Sequence, residues 1–356
     1  MSETKGIYVG PDNTLSFRAW PEQYRPVEGQ ALVKVEFSGV CPADLKHGMH
    51  FGLNDNICGY ELCGTVIDRG PACVFRVGDV IFGSNATDRN KPRSHGGHQS
   101  FAIAEDDHMW LPVPNGLPHA DAAVLSTMVR TAADAIFNTF KIPQIFSNVP
   151  ATIGETGAIL VWGGASTVGL ATIQLAKAAG ISPIFTTASV KNHEALIRLG
   201  ATKCFDYHHP HVVEEIQSAL DESRVPLKYV LDAVVTRGPD STTIKVESLR
   251  STQEVKYASV LPVPGNPKWT MVVAARGHDF PSPGGFAKAQ PELEVALREA
   301  SIWAAANYNN GFVVPNVRVI RDADAALEAI QLSADGKISF EKIALQHPLL
   351  GPTTQN

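Results

Sequence analysis

Gly163-Gly164-Ala165-Ser166-Thr167-Val168-Gly169 stands between a wholly apolar run, Ala158 to Trp162, and a helical pattern, Val168 to Ala179, closed by Gly180. Small residues let a backbone approach a phosphate, and a helix N-terminus offers free N–H groups and partial positive charge. Strand, turn and helix in that order are the context a dinucleotide-binding turn requires, which makes Ala165, Ser166, Thr167 and Val168 its candidate contacts. The spacing is not a strict GxGxxG, and an ordinary tight turn is the alternative. The next strand ends in Thr186-Thr187-Ala188-Ser189-Val190-Lys191-Asn192. A carboxylate there would hold the ribose 2′-hydroxyl of NAD. None occurs. Hydroxyls and the Lys191 ammonium stand where a 2′-phosphate would lie, so Ala188, Ser189, Val190 and Lys191 point to NADPH rather than NADH. A solvated first-turn lysine is the alternative. Tyr207 ends the third strand, either against the adenosine phosphate or on open surface.

Nucleophiles and metal-type ligands are scattered. The five cysteines, Cys41, Cys58, Cys63, Cys73 and Cys204, are odd in number and fit reduced thiols better than a disulfide framework. His208, His209 and His211 suggest a metal cluster, but they follow a strand and read as a solvated turn. His95 and His98, in the polar Gly-containing stretch Asn85 to Ser100, are read the same way. Asn85-Ala86-Thr87 matches a glycosylation sequon that carries no meaning without a secretory route.

These residues need a scaffold, and the chain is long enough to build one. It has 356 residues, which suggests two domains. Hydrophobic residues make up 44% and charged residues 19%, enough apolar surface for a packed core rather than a disordered chain. The net charge of −6 gives no field to collect a nucleic-acid backbone. No apolar run reaches the ~20 residues of a membrane span. The N-terminus shows no signal core. A cytoplasmic protein is the default expectation.

Residues 1–120 are rich in Gly, Pro and β-branched residues. Short strands are expected at Gln30 to Val40, within Gly64 to Gly70 and within Gly78 to Ser84, forming a β-rich barrel-like unit. Asp121 to Phe140 reads as a long helix, continuous or interrupted. Strands at 158–162, 182–186, 203–207 and 227–235 then alternate with helices at 168–179, 190–199 and 211–223. That alternation implies a doubly wound parallel sheet, an α/β fold. The tail (helix 292–307, strand 315–320, helix 322–334, strand 337–346) is assigned back to the first domain.

At this point the sequence resembles the medium-chain dehydrogenase/reductase superfamily over nearly its whole length. The resemblance rests on GVCPADLKHG (39–48), CGYELCGTVIDRG (58–70), VGDVIFG (77–83), the 158–180 segment and ALIRLGATKCFDY (195–207). It implies a discontinuous GroES-like domain, 1–125 and 285–356, and a Rossmann domain, 126–284. Within the superfamily the likeness is to zinc-free quinone oxidoreductase-like enzymes, nearest the fungal trans-acting enoyl reductases of polyketide synthesis. The catalytic-zinc positions of the zinc branch match Cys41, Tyr60 and Thr127 here, and neutral hydroxyls bind zinc poorly. Cys41 also departs from the zinc-free branch, which usually has Asn there; a packed thiol is the plain reading. A structural zinc would need cysteines that 85–100 lacks. No metal is expected.

The resemblance implies NADPH delivering hydride to an electron-poor C=C, with the enolate then taking a proton. It places Ala43, Asp44, Leu45 and Lys46 beside the nicotinamide ribose, Lys46 holding ribose and substrate carbonyl and Asp44 orienting the loop. It places Thr131 in the substrate pocket, Leu261 at the nicotinamide, and Ile338 and Ser339 at the cofactor. Tyr60 is either a proton donor or a pocket wall. Bulk water is the other proton source, and no residue is assigned as the general acid. Pocket walls are expected from Ala133, Ile136, Phe137 and Phe140, and from His278 and Phe280 in a Gly/Pro-rich rim that reads equally as a surface loop. Partners would be a carrier-bound enoyl substrate and a polyketide synthase, with the enzyme a monomer or homodimer. A small-molecule quinone or enone reductase and a non-redox cofactor-binding protein are the competing readings.

Overall fold

A computed structural model describes residues 4–21, 23–87, 91–105, 108–143, 157–282 and 285–351. The expected loop at 85–100 and the Gly/Pro-rich rim each lie partly outside these residues. Two compact units emerge. The first joins Met1–Thr127, Ala275–Tyr308 and Val314–Asn356; the second joins Met128–Ala274 and Asn309–Val313. The chain therefore returns to the first unit before residue 285, because the N–H groups of Arg276 and Gly277 both donate to Glu294 Oε2 (2.7 and 3.0 Å) on the Pro291–Ala306 helix. Residues 309–313 go to the second unit because the Gln174 side chain bonds the Val313 backbone in both directions, at 3.0 and 2.8 Å.

The second unit holds a six-stranded, all-parallel sheet. Its spatial order is Lys203–Phe205, Ile184–Thr187, Ala158–Trp162, Leu227–Asp232, Lys256–Ser259, Trp269–Met271. In chain order this is 3-2-1-4-5-6, the doubly wound dinucleotide-binding arrangement. Ala158–Trp162 is buried at every position, as a strand covered on both faces must be. The last two strands escape the sequence reading: Lys256-Tyr257-Ala258-Ser259 mixes polar and apolar residues without a clear period.

The helix expected at 121–140 is broken. It forms as His119–Ala122, Ser126–Ala133 and a wider π-type stretch, Asp134–Thr139. Its buried polar side chains are tied to a neighbouring segment: Arg130 donates to the Ala274 carbonyl at 2.6 Å, and Asp134 accepts from Val273 N–H and from the Asn138 amide, both at 2.9 Å.

The first unit carries a seven-stranded sheet in which Gln30–Val40 pairs with Glu61–Arg69, Phe101–Glu105 and Lys342–Leu350. The last strand starts at Lys342, five residues later than the pattern suggested. Phe340 has φ +57° and Ile338 packs against the apolar cluster of Ile7, Leu45, Ile330 and Leu345, so 337–341 is a turn over the core. Among the described residues no helix is long and apolar enough to cross a membrane.

Candidate active site

In the second unit the glycine turn has the shape its sequence demands. Gly163 has φ +89°, and a Cβ on Gly164 would lie 2.1 Å from Thr186 Oγ1. The tight turn leads straight into the Thr167–Ala178 helix, where the Ser166 hydroxyl accepts from Gly169 N–H at 3.0 Å. Thr167 and Val168 lie in the first turn, where N–H groups have no intrahelical acceptor. This cradle fits a pyrophosphate. At the end of the second strand Thr187 hydrogen-bonds the turn, accepting from Gly163 N–H on its hydroxyl (3.0 Å) and from Gly164 N–H on its carbonyl (2.9 Å). Ala188 is buried, Val190 and Lys191 are exposed, and the Ser189 hydroxyl lies 3.3 Å from that of Tyr207. Tyr207, 41% exposed, is stacked on His208. Leu261 is half-buried. Of the proposed pocket walls, Ala133 and Ile136 are 0% exposed and Phe140 1%, with Phe140 packed on Tyr229. These three side chains are core and offer no accessible wall. Phe137 (6%) is nearly as buried, and Thr131 is half-buried on the same helical stretch.

In the first unit the Ala43–Phe51 helix gathers most of the remaining candidates. Leu45 is core and Lys46 half-buried. Asp44 is buried, and its carboxylate accepts Cys41 N–H at 2.8 Å and the Cys41 thiol at 3.3 Å. It therefore holds the turn that starts the helix. Across the helix, His47 Nδ1 meets the Tyr60 hydroxyl at 2.8 Å, and the His47 ring touches Phe280 at a centroid distance of 6.1 Å. Lys91 sits over the Tyr60 ring, 4.2 Å from its centroid, and donates to the Gly59 carbonyl at 2.7 Å. Burial pushes the Tyr60 phenol far up, the Asp44 carboxylate adding to it; burial also lowers His47 to about 4 and Lys91 to about 8. His278 is half-buried, and Ser339 is exposed.

The reading of His98 as a solvated residue is corrected. It is 0% exposed, and His95 is 9% exposed. His98 Nε2 lies 3.1 Å from Asp44 Oδ2, and its Nδ1 lies 2.8 Å from the Ser38 hydroxyl. Ser38 in turn lies 2.7 Å from His347 Nε2, while His347 Nδ1 is buried without a partner. A buried N–H without an acceptor is rarer than an unpaired lone pair. The chain therefore runs one way. His347 Nε2–H donates to Ser38, Ser38 donates to His98 Nδ1, and His98 Nε2–H donates to Asp44. The signal was Gly59: a Cβ there would lie 2.8 Å from the His98 ring, so the glycine marks a close approach. By contrast, His208, His209 and His211 are exposed and face Asp206, Glu215 and Glu214, as expected of a solvated turn.

The donor sets do not suit a divalent cation. Asp44, Cys58 and His98 bring ligand atoms within 4.8 Å of one another. The proton between His98 and Asp44 occupies that contact, and burial pushes the Cys58 thiol well up, so a thiolate is costly. At the positions matching a catalytic zinc, burial and then Asp44 push the Cys41 thiol up, and Tyr60 stays a neutral phenol.

Residues 27–115 match the alcohol dehydrogenase GroES-like domain. The trans-enoyl reductase mpsG of Macrophomina phaseolina is 29% identical over 88% of this chain and 89% of its own length. The trans-enoyl reductase grgB of a Penicillium species is 34% identical over 62% of this chain and 59% of its own length. Among solved structures, CurK enoyl reductase superposes with a TM-score of 0.70 at 17% identity, over 97% of this chain and 99% of that one. A mycobacterial structure complexed with NADPH gives 0.67 at 22% identity, over 97% and 100%. At these identities the structural likeness is one of fold. With its doubly wound sheet and its match to the GroES-like domain over residues 27–115, the chain has the fold of the medium-chain dehydrogenase/reductase enzymes and is similar in sequence to fungal trans-enoyl reductases.

Proposed function

We propose that this protein is an NADPH-dependent, zinc-independent, trans-acting enoyl reductase. It reduces the α,β-unsaturated thioester of a polyketide held by a partner polyketide synthase in the cytoplasm. The observation that carries the reading is the phosphate cradle followed by a second strand whose end has hydroxyls and Lys191 but no carboxylate. The relatives named as trans-enoyl reductases support the substrate class. Zinc independence is supported by protonated donors at the candidate ligand positions. When bound, NADPH supplies the hydride that reaches the β-carbon. The first-turn amides of Thr167 and Val168 hold the pyrophosphate, and Lys191 with Ser189 holds the 2′-phosphate. Lys46 steadies the ribose and the substrate carbonyl, where charge develops. Asp44 fixes the turn that carries Lys46.

Purified protein is to be given NADPH with enoyl thioesters on a carrier protein, enoyl thioesters on a small thiol, and simple quinones. Carrier-bound thioesters are expected to be consumed fastest; faster turnover of quinones than of every thioester overturns the reading. Lys191→Ala is expected to weaken NADPH binding by roughly 10- to 100-fold, the worth of one charge-assisted contact, and NADH binding less than about twofold. Equal losses for both, measured by fluorescence titration, would remove Lys191 from the phosphate site.

A further inference from the structure

We propose that His47 is the proton donor to the α-carbon and that Tyr60 replaces its proton. This deepens the enoyl-reductase reading and rests on it. The geometry fixes the direction of the hydrogen bonds. The Tyr60 oxygen is hydrogen-bonded by the Thr87 hydroxyl on one side and lies 2.8 Å from His47 Nδ1 on the other. With Thr87 donating to that oxygen, the phenolic proton goes to Nδ1, and the neutral imidazole carries its own proton on Nε2. Among the described residues Nε2 has no hydrogen-bond partner. The ring is held edge-on by Phe51, Tyr60 and Phe280, with centroids at 5.4, 5.2 and 6.1 Å. Three aromatic rings therefore flank the imidazole that carries one unspent N–H, on the helix that carries Lys46.

The step balances. After hydride arrives at the β-carbon, the thioester is an enolate with an electron pair available at the α-carbon. That pair takes the Nε2 proton: a C–H bond forms and the N–H bond breaks. Nδ1 takes the Tyr60 proton in the same event, so the imidazole ends neutral as its other tautomer. The negative charge moves from the enolate to the Tyr60 oxygen. Lys91, over the Tyr60 ring, stabilises it electrostatically. A thioester enolate is far more basic than a phenolate, so the transfer runs downhill. Imidazolium is never formed, in keeping with a ring that burial keeps neutral. The pair resets by the reverse relay: once product has left, solvent protonates Nε2 and Nδ1 hands its proton back to the Tyr60 oxygen, which restores the starting tautomer.

The test uses an α-methyl enoyl thioester with NADPH in D2O, reading both NADPH oxidation and the configuration at the α-carbon. The wild type is expected to place deuterium on one face. His47→Phe is expected to lose roughly 10²- to 10⁴-fold in kcat, the usual worth of a positioned acid, and to give a mixed α-configuration, because water then protonates either face. Tyr60→Phe keeps the ring and the fold, and is expected to slow turnover with the configuration kept. A His47→Phe enzyme that retains a single configuration, or a Tyr60→Phe enzyme of unchanged rate, overturns the assignment. If the wild type oxidises no NADPH with any enoyl thioester, it is the enoyl-reductase reading that fails.

Discussion

Lys342→Met is expected to destabilise the first unit by about 3–5 kcal/mol, the usual cost of leaving a buried charge without its partner. Lys342 is 2% exposed, and its ammonium lies 2.7 Å from Glu61 Oε1 and 3.2 Å from the Val40 carbonyl. Glu61 is 0% exposed, and its other oxygen accepts Thr127 N–H at 2.8 Å, in the first turn of the Ser126–Ala133 helix. Met fills the lysine's volume but leaves the carboxylate with one backbone donor. Glu61→Gln/Lys342→Met is expected to regain at least about half of the loss, because removing both charges also removes both desolvation costs. Burial disfavours the Lys342 charge, yet the Glu61 carboxylate outweighs it and the amine is held above its ordinary value. A raised amine contributes fully below its unfolded value of about 10.5 and loses that contribution as pH climbs through the folded one. The measurement belongs at pH 7, by denaturant titration. A loss under about 1 kcal/mol would show that water reaches Glu61 once the lysine is gone.

That pair also shows where sequence reading stops. Glu61 and Lys342 are 281 positions apart. No local period joins them; only the antiparallel pairing of Lys342–Leu350 with Gln30–Val40, beside Glu61–Arg69, brings them together. Four strands of the parallel sheet, by contrast, were legible, because each sits in a strand–turn–helix repeat, whereas Lys256–Ser259 and Trp269–Met271 lack a clear period. The cradle was legible because Gly163 and Gly164 answer a local steric demand. His98 was not, since GGHQS has the composition of a solvated loop, and its burial comes from Gly59, Ser38 and His347 in three other segments. Ala133, Ile136 and Phe140 were assigned to a pocket because a resemblance aligns positions, whereas long-range packing leaves each of them 1% exposed or less. His47 escaped because its neighbour Lys46 carried the motif, and its partner Tyr60 lies across a turn that no spacing rule connects.

Stability is expected to fall by roughly 2–3 kcal/mol between pH 6 and pH 4.5, a window that opens well above the ordinary carboxylate values of about 4. Burial lowers His347 to about 3, a proton on His98 would lower it further, and burial lowers His47 to about 4. In the unfolded chain both rings take up a proton near pH 6.5. Between that value and their folded values the unfolded state binds more protons, so stability rises with pH and is lost as pH falls. Each group alone allows up to about 1.4 kcal/mol per pH unit; His47 is half-buried, and screening trims its share. The exposed histidines of 208–211 face carboxylates at the surface and are worth little by comparison. Asp44 acts in the same direction further down. Burial works to raise it, but His98, with its Nε2–H on the carboxylate, and the Cys41 amide and thiol prevail and hold it below its usual range, so its contribution drains as pH falls through that lower value. His347→Leu removes one of the two rings, and its profile from pH 6 to 4.5 is expected to flatten by about half, even though it starts about 1 kcal/mol lower at pH 7 for the lost donor to Ser38. Thermal unfolding followed across that window decides the matter: a wild-type profile already flat there would mean that both rings titrate as they do in water, and that the chain from His347 to Asp44 is open to solvent.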